Sequence, residues 1–261
     1  MSRVIACDVG NSNIVLGCFE GERLLMTDRL QTHRKWTLQS MEHSIRQAFS
    51  ANQLADSRFD GSILSSVVPE LNLILSEALA KITGKKTMVM NTSLETGISM
   101  GRYDTATLGM DRVVDLAAAA SYYGTPAAIY DLGTCTTLSV LDRNAVLLGG
   151  MISAGIQLSL DVQAERTAQL PQLTAAPTED LLGNDTVSNM ISGAVASCGI
   201  MIDEVTDRIA ETYGLKDMKV VITGGNGKLV LPWIRKEVFY DPDLLLKGLL
   251  AIYRKNAEED R

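Results

Sequence analysis

Residues Asp131-Leu-Gly-Thr-Cys-Thr-Thr137 restate, 123 positions on, a pattern first set out by Asp8-Val-Gly-Asn-Ser-Asn-Ile14. The register holds without a gap: Asp8 falls on Asp131, Gly10 on Gly133, Asn13 on Thr136, and Leu24-Leu25 on Leu147-Leu148. An echo about half a chain length away predicts two related halves, and any fold assigned to the chain must accommodate both copies.

Each copy has the same grammar. An apolar run (Val4-Ile5-Ala6-Cys7; Ala127-Ala128-Ile129-Tyr130) leads into Asp-x-Gly and small hydroxyl or amide residues, then a second apolar run, a polar turn and a further apolar pair. That order predicts strand, tight turn, strand, turn, strand. Glycine in the first turn lets backbone N–H groups approach a ligand closely. Asn, Ser and Thr side chains can hydrogen-bond phosphate oxygens, and an Asp can bind a hydrated cation or its water. Asp-x-Gly is also ordinary turn chemistry; its recurrence in register is what favours the ligand-binding reading.

With 261 residues, 46% of them hydrophobic, the chain can build one large core or two of ordinary size. Its formal charge of −7 offers no general attraction for nucleic acid or an anionic membrane. No apolar stretch approaches the roughly 20 residues of a membrane span, and an apolar strand beginning almost at once leaves no signal peptide to expect. Cys7, Cys18, Cys135 and Cys198 lack the paired spacing of zinc or redox sites and read as small core residues in a reducing cytoplasm. His33 and His43 have no neighbouring metal-ligand partner and read as surface residues.

Taken in order, the pattern predicts a helix over about 37–49, a buried strand over 62–68, and a helix opened by Pro69, since proline suits the first helical turn. A short strand over 87–90 and a loop over 91–107 follow. Leu108-Gly-Met-Asp-Arg112 then leads into an alanine-rich helix, with Asp111 and Arg112 in its first turn. Two readings of Asp111 stand side by side: a helix cap, or a carboxylate kept ionised by the helix N-terminus and facing a substrate hydroxyl. Asp115, one turn on, is the rival carboxylate on the same face. Beyond the second hairpin, the glycine-rich stretch Gly149–Gly155 is expected to precede a helix over about 156–169, and 171–183 to form a polar loop. Asn184-Asp-Thr186 caps the next helix, whose apolar spacing persists to Ile209. A strand from Lys219 ends in Thr223-Gly-Gly-Asn-Gly227, a candidate for the adenine side of a nucleotide pocket, and a helix over 244–256 closes the fold. Walker A, paired Gly-x-Gly-x-x-Gly and Gly-x-Ser-x-Gly patterns are absent from the sequence.

Two Asp-x-Gly hairpins with a late glycine turn resemble the two phosphate motifs and the adenosine motif of the actin-like ATPase superfamily. Within it, the chain resembles the type III pantothenate kinases. The matching segments begin with Asp8–Gly17, Ser65-Ser-Val-Val-Pro69, Gly109-Met-Asp-Arg112, Asp131-Leu-Gly-Thr134 and Gly149–Gly155. They continue through Glu165-Arg166 with Leu170-Pro171, Asn184-Asp-Thr186, Thr223-Gly-Gly225 and Asp241–Gly248, in the family's order over nearly the whole chain.

The resemblance implies an α/β, actin-like (ribonuclease H-like) duplicated fold, with halves over 1–115 and 116–261, each a mixed five-stranded sheet with flanking helices. It implies transfer of the γ-phosphoryl group of ATP to the primary hydroxyl of pantothenate, the first step toward coenzyme A. Asp8, Val9, Gly10, Asn11, Ser12, Asn13, Ile14 and Val15 would hold the ATP phosphates, with Asp8 toward Mg²⁺; Thr134 would also contact ATP. Asp131 would ligate a monovalent cation, K⁺ or NH₄⁺. Gly109, Met110, Asp111 and Arg112 would line the pantothenate pocket with Asp111 as catalytic base, and Tyr103 and Thr186 would contact pantothenate. The family's dimer implies a homodimer in which Thr186 reaches the pocket of the neighbouring subunit. Two rivals share the fold: a kinase for another small hydroxyl compound, and a non-catalytic regulatory relative.

Overall fold

The computed structural model describes residues 3–258. The first sheet and its helices comprise β1 (Arg3–Val9), β2 (Asn13–Glu20), β3 (Arg23–Gln31), α1 (Leu38–Ala51), β4 (Gly61–Ser66), α2 (Pro69–Thr83), β5 (Met88–Val89) and α3 (Met110–Tyr122). The remainder comprises β6 (Ala127–Leu132), β7 (Cys135–Leu141), β8 (Leu147–Ala154), α4 (Ile156–Arg166), α5 (Thr186–Tyr213), β9 (Lys219–Thr223), α6 (Gly227–Val230), β10 (Phe239–Tyr240) and α7 (Leu244–Glu258).

The strands form two sheets of five, ordered β3-β2-β1-β4-β5 and β8-β7-β6-β9-β10. In each, three antiparallel strands are followed by two parallel ones, so the expected duplication is present strand for strand. The gapless echo nevertheless conceals two compensating changes. Val9 pairs with Ile14, leaving Gly10–Asn13 as the first turn, whereas Leu132 pairs with Thr136, leaving only Gly133–Cys135 in the second. The lost residue is recovered one turn later, because Leu24 and Leu147 again hold equivalent places, opposite Phe19 and Leu141. Both hairpins bulge at the same point, Cys18/Phe19 and Val140/Leu141. Asn13 therefore matches Cys135 in three dimensions, not Thr136: Gly10 N–H donates to Asn13 O at 2.9 Å and Gly133 N–H to Cys135 O at 3.1 Å.

Two compact units divide the chain. One runs through Gly97 and adds Thr105–Ser121 and Leu245 onward; the other is Ile98–Asp104 with Tyr122–Leu244. A single cut at 115/116 falls inside α3. In the first unit, Ile5, Cys7, Val9, Ile14, Leu16 and Leu64 turn one sheet face toward Met41, Ile45 and Phe49 of α1 and Leu71, Leu75 and Leu79 of α2. The alternate residues face α7, since a Cβ at Gly17 would meet Leu246 at 2.8 Å and one at Gly61 would run into the Tyr253 ring. Tyr253 donates its hydroxyl to Asp60 O at 3.0 Å, and Gly248 lies directly against the Val114 carbonyl of α3. In the second unit, Ala128, Tyr130, Leu132, Leu138 and Val140 pack with Ile156 and Leu160 of α4 and Met190, Ile191, Val195 and Ile202 of α5.

The helix starts follow local chemistry. Thr37 caps α1 by accepting from Ser40 N–H, Pro69 is in the first turn of α2, and Asp185 caps α5 by accepting from Ser188 N–H at 2.8 Å. That backbone donor holds the Asp185 carboxyl below its ordinary range.

Three expectations need correction. Gly149–Ala154 continues the edge strand β8 that Leu147-Leu148 opens, and α4 stops at Arg166. Its glycines lack side chains but still offer backbone N–H and C=O groups to β7, with Gly149 opposite Val140 and Gly150 opposite Ser139. Second, Cys135 is exposed at the hairpin tip, while Cys7 and Cys18 are core residues whose thiols burial pushes up, Cys18 to about 11. Third, Asp115 is no rival to Asp111, because α3 is buried continuously from Arg112 to Ala119 and Asp111 lies in the partly exposed first turn ahead of that stretch. Among the described residues, no helix is long and apolar enough to cross a membrane.

Candidate active site

Asp8 is half-buried at the end of β1, on the sheet face opposite Cys7 and Val9 and beside Ser65 in parallel register. The turn that follows presents Asn11, Ser12 and Asn13 exposed. Val9 and Ile14 have no exposed side-chain surface, so of the expected segment Asp8–Val15 these two can offer a ligand only their backbone. Thr32, just beyond β3, grips the turn from outside: its hydroxyl donates to Gly10 O at 2.8 Å and its N–H to Ser12 O at 3.0 Å.

In the same unit, Gly109 and Met110 are half-buried and Arg112 is buried. Asp111 folds back so that its Oδ1 accepts the Arg112 N–H at 2.9 Å and occupies the space that a Cβ on Gly109 would take. Glycine at 109 is thus the steric condition for this carboxylate position. The first turn of α3 carries the positive end of the helix dipole, an attractive place for a negatively charged group. Cap and base are not exclusive: the carboxylate that meets the backbone N–H is half exposed and can accept a proton from a docked hydroxyl.

The second unit repeats the turn with a different clamp. Asp131 is half-buried at the end of β6, and Thr134 is exposed at the tip. Gly155 N–H donates to Thr134 O at 3.1 Å, as Thr32 N–H does to Ser12 O. The Gly133 carbonyl accepts instead from Asn226 Nδ2 at 3.3 Å. Gly224, at φ +87°, brings its Cα so close to Asp131 Oδ1 and the Leu132 backbone that no side chain fits. Tyr103, half-buried, donates its N–H to Met100 O at 2.9 Å in a loop that joins this unit through a bridge between Ser99 and Val146. Thr186 is exposed as the first residue of α5. Asp241, from a matched segment, is buried and accepts the Tyr123 hydroxyl at 2.8 Å, a structural task.

Among the described residues, no cluster of three His, Cys, Asp or Glu side chains could hold a metal. Mg²⁺ arriving with a nucleotide needs only one or two protein carboxylates, while phosphates and water fill its other positions. Asp8, half-exposed at the end of β1, fits that part. Asp131 fits a weakly held cation, being a half-buried carboxylate close to the backbone at Gly133 and Gly224.

Sequence reasoning missed Thr32, and it singled out the glycine turn that holds Asn226 without foreseeing the contact of Asn226 with the second hairpin. Each acts across the fold on a turn 22 or 93 residues away. The only available signal was positional, since Thr32 and Gly155 are 123 residues apart, the spacing of the echo itself.

Comparison with known folds places this architecture. The chain is similar to a Baf-family protein from Campylobacter jejuni (TM-score 0.59, 18% identity, covering 97% of this chain and 99% of that one). It is also similar to the ROK hexokinase of Thermus thermophilus (TM-score 0.50, 12% identity, covering 97% and 99%). The two sheets and their hairpins therefore define an actin-like ATPase fold. The type III pantothenate kinase profile matches residues 4–208, and the type III pantothenate kinase of Agathobacter rectalis is 32% identical over 252 residues, 97% of each chain. The chain belongs to the type III pantothenate kinase family, whose members phosphorylate pantothenate in the first step of coenzyme A biosynthesis.

Proposed function

We propose that this chain transfers the γ-phosphoryl group of ATP to the primary hydroxyl of pantothenate, with Asp111 as the base. The observation that carries the assignment of Asp111 is its carboxylate folded over Gly109 at the start of α3. In this reading Asp8 to Val15 hold the ATP phosphates, largely through the backbone of the exposed turn, and Thr134 also contacts ATP. Gly109 to Arg112 line the pantothenate pocket, and Tyr103 and Thr186 contact pantothenate. The enzyme works in the cytoplasm as a homodimer, with Thr186 reaching the neighbouring subunit's substrate.

The hydroxyl oxygen forms a bond to the γ-phosphorus, the bond from that phosphorus to ADP breaks, and the hydroxyl proton passes to the Asp111 carboxylate. In a loose phosphoryl-transfer transition state little nucleophilic push is required, so Asp111 chiefly orients the hydroxyl and takes its proton late. Backbone N–H groups of the two turns stabilise charge on the phosphoryl oxygens. Asp8, together with the phosphates, would hold Mg²⁺ and Asp131 a monovalent cation, and when bound these ions would add charge neutralisation.

The experiment is ATP-dependent phosphorylation of pantothenate by the purified protein with Mg²⁺, in K⁺ and then in Na⁺ buffer. Phosphopantothenate should form, and faster in K⁺. ATP turnover on other hydroxyl compounds with none on pantothenate would hand the activity to a different actin-fold kinase, and no ATP use would indicate a non-catalytic relative. Asp131→Asn should flatten the difference between K⁺ and Na⁺ by removing the anionic ligand. Undiminished K⁺ activation in that variant counts against the cation role.

A further inference from the structure

We infer that Thr32 and Asn226 are positioning residues for the phosphoryl transfer. Each pins a turn carbonyl outward so that the next backbone N–H faces the phosphates. The inference rests on the reading that the two Asp-x-Gly turns bind ATP phosphates.

In a trans peptide the C=O of one residue and the N–H of the next point in opposite directions. The only cis peptide in the described chain is Thr125-Pro126, so the rule holds in both turns. Thr32 holds Gly10 O by its hydroxyl and Ser12 O by its N–H. The N–H groups of Asn11 and Asn13 consequently point away from Thr32; that of Asn13 faces Gly10 across the hairpin, and that of Asn11, next to the pinned Gly10 carbonyl, is the one turned to the phosphates. In the second turn Asn226 Nδ2 holds Gly133 O and Gly155 N–H holds Thr134 O. The N–H groups of Thr134 and Cys135 point the opposite way by the same rule.

The two clamps differ for a steric reason. Position 155 is the echo of position 32, but the second turn is a residue shorter and its carbonyls crowd in. A Cβ at Gly155 would overlap both Gly133 O and Thr134 O, so no hydroxyl can be supplied from there. The missing donor comes from Asn226, whose own N–H is anchored on Leu132 O at 3.0 Å. Two unlike residues thus perform one task in the two copies.

The test measures equilibrium affinity for ATP and for adenosine, together with KM for ATP and for pantothenate. Thr32→Val removes the hydroxyl at nearly constant volume. It should weaken ATP binding about five- to tenfold, the worth of one orienting hydrogen bond, and leave adenosine affinity and the pantothenate KM unchanged. Thr32→Ser should restore ATP affinity, and Asn226→Ala should reproduce the ATP-selective loss. Equal losses for ATP and adenosine with a lowered Tm would reduce Thr32 to a structural residue and overturn the inference. A combined Asn11→Ala, Ser12→Ala and Asn13→Ala variant separates the two layers. If it weakens ATP while Thr32→Val does not, the clamp is wrong and the phosphate reading stands. If the wild-type protein binds adenosine as tightly as ATP, the phosphate reading itself falls.

Discussion

Asp111→Asn keeps the fold and lowers kcat by about 10²–10⁴-fold, the range associated with a positioned general base. The substitution preserves size and one hydrogen-bond acceptor, so the short contact to the Arg112 N–H survives. It removes the ability to take up the hydroxyl proton, together with the negative charge at the helix N-terminus. That charge is worth roughly 0.3–1 kcal/mol to α3, so Tm falls by no more than a few degrees. Because the chemistry is impaired rather than nucleotide binding, the KM for ATP stays near the wild-type value while kcat and kcat/KM fall together. A variant with wild-type kcat would remove Asp111 from the mechanism. A collapse of Tm with activity lost in proportion would show that Asp111 acts as a cap alone.

Gly224→Ala is the second large effect and strikes at the other half of the repeat. At φ +87° an alanine is strained in its own backbone, and its Cβ would be 2.5 Å from Leu132 N and 2.6 Å from Leu132 C. Neither is the movable end of a side chain; both belong to the central strand β6. Backbone strain of about 1–3 kcal/mol and overpacking of similar size combine to about 2–6 kcal/mol. In a chain of this size that lowers Tm by roughly 4–24 °C. The same Cβ would displace Asp131 Oδ1, so molecules that remain folded should lose the advantage of K⁺ over Na⁺. A calorimetric scan and paired assays in the two salts read both consequences. An alanine variant that keeps both Tm and K⁺ activation would mean that the strand yields more readily than its pairing suggests.

Much of this architecture is legible in the sequence because it rests on local rules. Strand, turn and strand around Asp8 and Asp131 follow from alternating apolar runs and a glycine, and the helix starts at Thr37, Pro69 and Asp185 follow from capping and proline geometry. Asp111 in the first turn of α3 follows from the alanine-rich run behind it. What escapes is set by distance along the chain. The Thr32 and Asn226 contacts join segments that composition cannot relate. The burial of Asp115 depends on what covers α3, not on its spacing from Asp111. The compensated residue in the two hairpins is hidden because one loss and one gain leave the sequence register intact on either side. The extent of β8 beyond Leu147-Leu148 escapes for another reason: glycines carry no apolar pattern to read, yet a ladder needs only their backbone.

The return of α7 to the unit that holds β1 reverses the usual order of completion during synthesis. Domains generally fold in the order they leave the ribosome, the N-terminal one first. Here the second sheet and its helices lie within Ile98–Leu244 and are finished while the last helix is still unmade. The first unit, begun at β1, still lacks the helix that carries Leu246, Gly248 and Tyr253 onto the sheet face of Gly17 and Gly61. The half that is translated first is therefore the last to close, and until then the sheet face that carries Asp8 stands without its cover.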